Sequence, residues 1–425
     1  MRIRTRAVLL AAVVIATPGC WLQPGGSAGR SYHAPWESTV TSATVDDVVE
    51  LWRSPMPTTS RGTGPVLAPV GLDGVVYAAD RAGGLAAFDL ATGAQQWGTE
   101  QYLWGADPVI GDPVVLLDSY GLLVPVTFSD ADPATSYYSQ MGGHHLGVYG
   151  GGAPLAIIPD GWAAVATSTP EGGPPLAWLY PANTSVTPMV TLGPDDAIPA
   201  YALAGESVLW SEDTDAVAFL ECPVYPAPDC TPSWRTPLGD RPIGPAVVGT
   251  DAVAYVDVGG TVHVLDLATG AVRFRGEAGG AVSVPPAVAN GTILVATDAG
   301  RLVAFPADGC GRSVCRPLWK ASIGAAPATA PVAGAEVAYV ARAGGGIAVF
   351  DLAGCQSRRC APLDVLETGA EVSGGPILEP GRVVAGLADG SVVAYGLDTG
   401  DAGAPASPSA SARRPDGDVI ETPDH

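Results

Sequence analysis

Short apolar runs with a period of two residues, separated by turns rich in aspartate and glycine, fill most of the chain. The clearest example reads GVVYAAD, then GLAAFDL, then the turn ATG and the run AQQWGTE. Later copies include TDAVAYVDV followed by GGTVHVLDL, and NGTILVATD followed by AGRLVAFPA. Such alternation is typical of strands, and Asp/Gly turns join neighbouring strands into hairpins. The pattern therefore predicts an all-β protein built from short antiparallel strands.

Prolines that open small apolar runs give the length of the repeat. They are spaced 41 to 46 residues apart and lie at Pro65, Pro108, Pro154, Pro199, Pro245, Pro286, Pro331 and Pro376. The pentapeptide DLATG, found at 89–93 and again at 266–270, recurs after four such periods. A period of about 44 residues with four antiparallel strands corresponds to one blade of a β-propeller. Since proline cannot donate to a hydrogen-bond ladder, its place in each first strand suits an edge strand.

The eighth period ends one strand short, and the missing strand is available near the start of the chain as VVELWR, at Val48–Arg53. Trp52 in this run matches the position that Trp97, Trp234 and Trp319 take in other fourth strands. We therefore predict an eight-bladed β-propeller of four-stranded antiparallel blades over residues 46–400. The N-terminal strand is expected to close its last blade, which would leave no open edge. We expect the aromatic residues to lie between neighbouring blades.

Six of the seven cysteines form close pairs, each in a loop that replaces the DLATG turn. The pairs are Cys222 with Cys230, Cys310 with Cys315, and Cys355 with Cys360. Disulfides across each hairpin are the economical interpretation. Metal binding is the alternative, and it is disfavoured because no histidine stands near any pair. Local cysteine pairs of this kind suit an oxidising, extracytoplasmic compartment.

The first twenty residues have the form of an export signal, with a basic head MRIRTR, an apolar stretch AVLLAAVVIA and the ending TPGC. The apolar stretch is too short for a permanent membrane anchor. A small residue before Cys20 resembles the lipobox of bacterial lipoproteins, in which the cysteine is acylated and becomes the first residue. Thr17 and Pro18 depart from that pattern, and a secretory signal cut elsewhere is the alternative. The predicted segments are a signal peptide at 1–19, a lipid-anchored flexible tether at 20–45 and a disordered tail at 401–425.

The charge of the chain narrows the classes of partner. The formal net charge is −22, and Lys320 is the single lysine. An acidic surface repels phosphate backbones, so we expect no nucleic-acid partner. No serine–histidine–aspartate set, phosphate-binding loop or supported pair of carboxylates occurs in the sequence. We therefore predict no catalytic residue, no cofactor and no metal ion.

The repeat resembles the pyrroloquinoline-quinone (PQQ-like) propeller family over about residues 46–400. The resemblance rests on the DLATG motif, the tryptophan four residues later, and the proline that opens each first strand. Quinone dehydrogenases of this class hold their cofactor between a tryptophan and a disulfide of adjacent cysteines, beside a calcium ion and a catalytic aspartate. This sequence has no adjacent cysteines, and its only asparagines are Asn183 and Asn290. It is more similar to the non-catalytic, lipid-anchored members, such as the β-barrel assembly lipoprotein of outer membranes, which imply a docking platform.

One insertion interrupts the second period before its fourth strand, at Ser129–His145. Long loops on rigid scaffolds often carry recognition, and the candidate contact residues here are Tyr137, Tyr138, Met141, His144 and His145. A metal site at the histidine pair and a simple exposed loop are the alternatives.

Aspartates recur in the hairpins between second and third strands, at Asp80, Asp213, Asp257, Asp298 and Asp389. They could form an acidic ring around a channel mouth, or they could simply be the residues that such turns prefer.

These observations favour an exported monomer that serves as a non-catalytic interaction platform on the extracytoplasmic side of the cell membrane. The expected partner is an envelope protein or peptide. A secreted form is the alternative location. A ligand-binding sensor propeller and a quinone-dependent enzyme are the alternative functions.

Overall fold

The computed structural model describes residues 21, 25–26, 30–72, 74–100, 232–249, 251–355 and 359–398. Between residues 109 and 219 it describes the strands given below and the turn at 213–214. Within this part of the chain the helical structure is a single 3-10 turn, Val45–Asp47. No helix among these residues has the length and apolar character that a membrane crossing requires.

The strands fall into eight separate sheets, which we number along the chain. The first strand, β1 (Val48–Pro55), belongs to the last sheet. Sheet 1 holds β2 (Val70–Leu72), β3 (Val75–Ala79), β4 (Gly84–Asp89) and β5 (Gln95–Glu100). Sheet 2 holds β6 (Val109–Ile110), β7 (Val114–Leu117) and β8 (Leu123–Val126). Sheet 3 holds β9 (Leu155–Ile158), β10 (Gly161–Ala166), β11 (Leu176–Pro181) and β12 (Met189–Thr191). Sheet 4 holds β13 (Tyr201–Ala204), β14 (Ser207–Glu212), β15 (Asp215–Phe219) and β16 (Trp234–Pro237).

The second half of the chain continues the same plan. Sheet 5 begins with β17 (Pro242–Val248), β18 (Ala252–Asp257), β19 (Thr261–Asp266) and β20 (Val272–Glu277). Sheet 6 begins with β21 (Ala287–Ala289), β22 (Thr292–Thr297) and β23 (Arg301–Pro306), and the loop strand β24 (Val314–Cys315) precedes its fourth strand, β25 (Trp319–Ser322). Sheet 7 holds β26 (Val332–Ala333), β27 (Val337–Ala341), β28 (Ile347–Asp351) and β30 (Asp364–Leu366), and the loop strand β29 (Arg359–Cys360) precedes β30 in the chain. Sheet 8 holds β31 (Val372–Glu379), β32 (Arg382–Leu387) and β33 (Ser391–Leu397), and β1 completes it.

The prediction of an all-β chain with mostly antiparallel sheets is confirmed. Within each sheet the strands lie side by side in chain order, and β1 lies outside β33 in sheet 8. Their register runs from Val48 opposite Leu397 to Pro55 opposite Ser391, with an irregularity between Glu50 and Trp52. Three strands of sheet 2 are described, and its predicted fourth strand falls outside the described residues.

Neighbouring sheets adjoin through their first strands. Each first strand contacts the first strand of the next sheet, in the order β2, β6, β9, β13, β17, β21, β26 and β31. The last of these, β31, also contacts β2. The predicted prolines lie at or just before these strands: Pro286 precedes β21, and Pro376 lies within β31. The first strand pairs with one neighbour in its sheet, so it is an edge strand where a missing N–H costs little.

The hydrophobic core consists of layers between adjoining sheets. Every residue of β18 and of β22 is buried, so these strands are covered on both faces. One cluster joins Val264 of sheet 5 to Ile293 of sheet 6, and another joins Val384 of sheet 8 to Val76 of sheet 1. Sheets that pack face to face can use small alanine and valine side chains on both sides, which explains the composition of the repeat.

The part of the predicted tether that the structure describes is packed against the sheets, which corrects the expectation of a flexible segment over 20–45. Trp21 is 1% exposed, and Ala34 and Val40 are completely buried. The segment lacks the strand alternation that marks the repeats, so its pattern gave no sign of this packing. Trp21, Ala34 and Val40 are isolated along the segment, and they pack in one cluster with residues of distant strands.

Two of the predicted disulfides are present, Cys310–Cys315 and Cys355–Cys360. Each closes a loop that adds a short parallel strand to the outer edge of the preceding sheet. Arg275 in β20 pairs with Val314 in β24, and Lys320 in β25 pairs with Arg359 in β29. The loops therefore give sheets 5 and 6 a fifth strand and join neighbouring sheets, a role that reaches beyond the hairpin in which each disulfide lies.

Replacing Cys310 and Cys315 together with serine is expected to lower the free energy of unfolding by about 2 kcal/mol, because the open loop regains entropy in the unfolded chain. Urea unfolding monitored by tryptophan fluorescence measures the change. Ser313→Ala, in the same exposed loop, is the control and is expected to have little effect. Equal midpoints for the double variant and the control would contradict this role.

Candidate functional site

The turns divide between two faces of the fold. Each sheet begins with three antiparallel strands in chain order, so the turns from first to second and from third to fourth strand share one side. We call this side the strap face, because the described residues between 21 and 47, which we call the strap, lie against it. The turns from second to third strand lie on the opposite face.

The DLATG turn has the same structure in both copies. The Asp89 carboxylate accepts hydrogen bonds from the Thr92 N–H and hydroxyl, each at 2.8 Å. In the second copy Asp266 holds Thr269 in the same way. The closing glycines, Gly93 and Gly270, both have φ of +70°, which favours glycine over other residues.

Each of these turns receives the tryptophan of the preceding sheet. The Trp52 indole N–H donates to the Leu90 carbonyl at 2.8 Å, and that of Trp234 donates to Leu267 at 2.7 Å. A Cβ added to Gly93 would lie 2.5 Å from the Trp52 ring, and one added to Gly270 would lie 2.6 Å from Trp234. The tryptophans thus lie between neighbouring sheets, as the spacing predicts.

At Trp319 a disulfide loop keeps the packing against a glycine but not the hydrogen bond, since its buried indole N–H has no partner among the described residues. A Cβ added to Gly354, in the turn that leads into the Cys355–Cys360 loop, would lie 2.5 Å from the Trp319 ring. The sequence analysis did not identify these glycines as the receiving surface. The available signal was that a glycine follows the third strand in each of the three sheets that come after Trp52, Trp234 and Trp319.

The strap begins at the innermost strands of the last and first sheets. The Trp21 backbone N–H donates to the Glu379 carboxylate at 2.9 Å, and the Gly71 N–H donates to the Trp21 carbonyl at 2.9 Å. Glu379 is 1% exposed at the end of β31, and Gly71 lies in β2. The strap therefore holds sheets 8 and 1 together at their inner edges.

The strap then crosses to sheets 6 and 7. The Val288 N–H in β21 donates to the Ser31 carbonyl at 2.8 Å, and the Ala34 N–H donates to Ala333 in β26 at 2.8 Å. The buried Glu37 carboxylate accepts hydrogen bonds from the backbone N–H groups of Val40 and of Gly381, which lies in the turn after β31. A single segment thus contacts the ends of four first strands, which places those ends on one side of the fold.

The aspartates of the opposite face do not all face solvent. Asp80 is completely buried and accepts N–H groups from Ala82 and Gly84, so its carboxylate holds the turn. Asp257 is 3% exposed and accepts the Thr261 N–H at 2.8 Å. The turn-forming interpretation therefore holds for these two residues. It also holds for the exposed Asp389, which accepts the Ser391 N–H at 3.0 Å, while Asp298 is exposed and accepts the Ser283 hydroxyl.

A buried histidine–aspartate pair lies beneath this face. The His263 imidazole is 1% exposed, and its Nε2 lies 3.0 Å from the Asp257 carboxylate. Burial lowers the pKa of His263 from its ordinary value, although the Asp257 carboxylate acts in the other direction. Burial also lowers the pKa of His33 in the strap. Both histidines are therefore held neutral in the folded protein at pH values where they would take up a proton in the unfolded chain.

Stability is expected to fall as the pH is lowered from about 7 to about 5, because the unfolded chain then binds protons that the folded protein does not. The contribution of the neutral histidines to the free energy of unfolding is complete above the ordinary histidine pKa. It is lost as the pH falls towards the lowered pKa of the folded protein. His263→Gln should show a weaker dependence, with His33 supplying part of the remainder. Melting temperatures across this range test the expectation, and an unchanged slope in the variant would contradict it.

Several predicted site residues lie outside the described residues. They are the lipidation candidate Cys20, the cysteines Cys222 and Cys230, and the contact candidates Tyr137, Tyr138, Met141, His144 and His145. Their roles remain predictions.

The comparisons with known proteins identify the repeat. The family described as "Outer membrane protein assembly factor BamB" (PQQ_2) matches residues 195–422, more than half of the chain. The chain belongs to this family. The PQQ-like propeller resemblance seen in the sequence is thereby confirmed for this BamB-family protein. No curated protein matches the chain in sequence.

Solved structures extend the likeness to the fold. A europium-containing methanol dehydrogenase is 12% identical with a TM-score of 0.61, over 89% of this chain and 98% of that one. The quinohemoprotein alcohol dehydrogenase of Comamonas testosteroni is 13% identical with a TM-score of 0.58, over 96% and 83%. BamB from Moraxella catarrhalis is 17% identical with a TM-score of 0.42, over 82% and 99%. The two dehydrogenases share the propeller fold with this BamB-family chain, and at such identities they show the fold alone.

The described residues do not match the cofactor site that the PQQ-like resemblance implies, a disulfide of adjacent cysteines beside a metal ion. The two disulfides of the described residues join cysteines five positions apart, in loops at the outer edges of sheets. Neither is the disulfide of adjacent cysteines that could support a cofactor ring. The Asn290 side chain donates to the Ala335 carbonyl in a surface turn. Among the described residues, no group of three or more histidine, cysteine and acidic side chains could hold a metal ion.

Proposed function

We propose that this protein is an exported, lipid-anchored propeller of eight blades that serves as a non-catalytic interaction platform at the cell envelope. The observation that carries the proposal is the match of residues 195–422 to the BamB family. The printed description of that family names assembly of outer membrane proteins, and we extend to this chain the platform role alone. The partner we propose is an envelope protein or peptide.

The proposed ring is supported by the circular order of the contacts between first strands. It is also supported by β1, which comes first in the chain and pairs with β33 of the last sheet. A closed ring leaves few sheet edges and holds its turns rigidly, so both faces can present loops in fixed positions. The chemistry of the described polar groups fits a scaffold, since Asp80, Asp257 and Glu37 hold backbone turns.

We assign the partner contact to the insertion at Ser129–His145, because its tyrosines and methionine are the residue types that protein interfaces favour. The test compares three chains expressed with their native leader: the full chain, a deletion of Ser129–His145, and a control deletion of 401–425. Each carries a photo-crosslinker at an exposed turn position and is cross-linked in intact cells before the membranes are analysed.

The proposal expects one cross-linked protein that is common to the full chain and the tail deletion and absent from the insertion deletion. The same cross-linked protein in all three chains would overturn the assignment of the insertion. Absence of any specific cross-link in the full chain would overturn the platform itself. Uptake of pyrroloquinoline quinone in equilibrium dialysis with calcium would support an enzyme instead.

A further inference from the structure

We propose that the strap face is the side of the protein that lies against the membrane, and that the opposite face points away from it. This inference rests on the anchoring step of the proposed function. It also assigns to the membrane a surface that the sequence did not single out.

The place where the strap starts fixes where an anchor must emerge. Trp21 is buried, with its backbone held by Glu379 of sheet 8 and Gly71 of sheet 1. Cys20 is its chain neighbour, so the two Cα atoms are about 3.8 Å apart. An acyl chain on Cys20 therefore begins at the inner ends of the first strands, on the strap face, with no length of free chain in between.

A flexible tether over 20–45 would have allowed any orientation, and the packed strap removes that freedom. From Trp21 to Val40 the described strap is attached to sheets 1, 6, 7 and 8. An anchor that enters the bilayer next to Trp21 thus brings the surrounding turns to the membrane surface.

The exposed apolar side chains provide a second, independent observation. Among the described residues the large exposed hydrophobic side chains are Val49, Val272, Val314 and Leu318, at 43%, 38%, 60% and 49% exposure. All four lie at the strap-face ends of fourth strands or in the Cys310–Cys315 loop region that replaces a turn on this face. None lies in a turn of the opposite face.

The loop that carries Val314 also carries charge suited to a lipid surface. Arg312 and Arg316 are exposed on either side of it. An apolar side chain flanked by arginines can enter the interfacial region while the guanidinium groups contact lipid phosphates.

The test measures which face lies close to the lipid, and it does not depend on natural acylation. Residues 1–20 are replaced by an export leader and a short histidine tag directly before Trp21, and the chain is bound to phosphatidylcholine vesicles that contain nickel-chelating lipid. A donor fluorophore is placed at Ala91→Cys on the strap face or at Ala299→Cys on the opposite face. The acceptor is attached to lipid headgroups.

Energy transfer is expected to be at least about twofold greater from position 91 than from position 299, because a strand of six residues separates the faces by about 20 Å. Equal or reversed transfer would overturn the proposed orientation. The double change Val314→Ser and Leu318→Ser is expected to reduce the difference, whereas Arg301→Ser on the opposite face is not. If the double variant keeps the full difference in energy transfer between the two positions, the contact of Val314 and Leu318 with the membrane is overturned.

A separate measurement keeps this inference distinct from the proposed function. The mass of the N-terminal peptide from the chain expressed with its native leader shows whether Cys20 is acylated. An unmodified cysteine would overturn the lipid anchor while the vesicle result still decides the orientation. An acylated cysteine with equal transfer from both labels would overturn the orientation alone.

Discussion

Gly270→Ala is expected to lower the free energy of unfolding by about 3 kcal/mol. The backbone at this glycine has φ of +70°, which costs an alanine about 1 kcal/mol. In addition, its Cβ would lie 2.6 Å from the Trp234 ring, and such overpacking in a buried contact costs about 2 kcal/mol. The effect should appear in the midpoint of urea unfolding and in the melting temperature.

Gly291→Ala is the matched control, because it introduces the backbone strain without the steric clash with a tryptophan ring. Gly291 has a similar φ of +75°, and a Cβ added there meets nothing within 4 Å. We expect a loss of about 1 kcal/mol at this position. Equal losses at the two glycines would show that the contact between tryptophan and turn contributes little to the joining of sheets.

Deletion of residues 21–55 is expected to abolish cooperative folding, which is the largest effect that we predict. The deletion removes the strap and β1, so β33 becomes an unpaired edge and the Trp52 contact with Leu90 is lost. An exposed strand edge promotes aggregation as well as local unfolding. Size-exclusion chromatography and thermal unfolding measured by circular dichroism test the expectation.

Two further deletions identify which part of that segment matters. Deletion of 21–44 keeps β1 and should give a folded chain with a lowered melting temperature, because the buried Trp21, Ala34 and Val40 are lost. Deletion of 401–425 should leave the melting temperature unchanged. A chain without residues 21–55 that folds as well as the tail deletion would contradict the role of β1.

The sequence was sufficient to predict the strands, the repeat and the pairing partner of β1. Alternation and Asp/Gly turns are local signals, and Trp52 marked its run as a fourth strand because the same residue recurs in other periods. The disulfides Cys310–Cys315 and Cys355–Cys360 could be predicted for the same reason, since their cysteines are close in the chain.

Features that depend on distant contacts could not be predicted in this way. The strap has no periodic pattern, and Trp21 is buried by residues some 358 positions away in sequence. The parallel pairing of Arg275 with Val314 links two sheets through a loop whose sequence gives no strand signal. Asp80 and Asp257 could be assigned to turns from their residue type, but their burial depends on how the sheets pack.

Hydrogen exchange of the intact chain tests the central claim most directly, namely that the N-terminal strand completes the last sheet of a closed ring. If β1 pairs with β33, the backbone amides of Val48–Pro55 that point towards β33, about every second one because β1 is the outermost strand, should exchange as slowly as those of Ser391–Leu397. The closed ring would be contradicted if all amides of Val48–Pro55 exchanged at the rate of an unstructured peptide. In that case the amides of Ser391–Leu397 that point towards β1 should be unprotected as well.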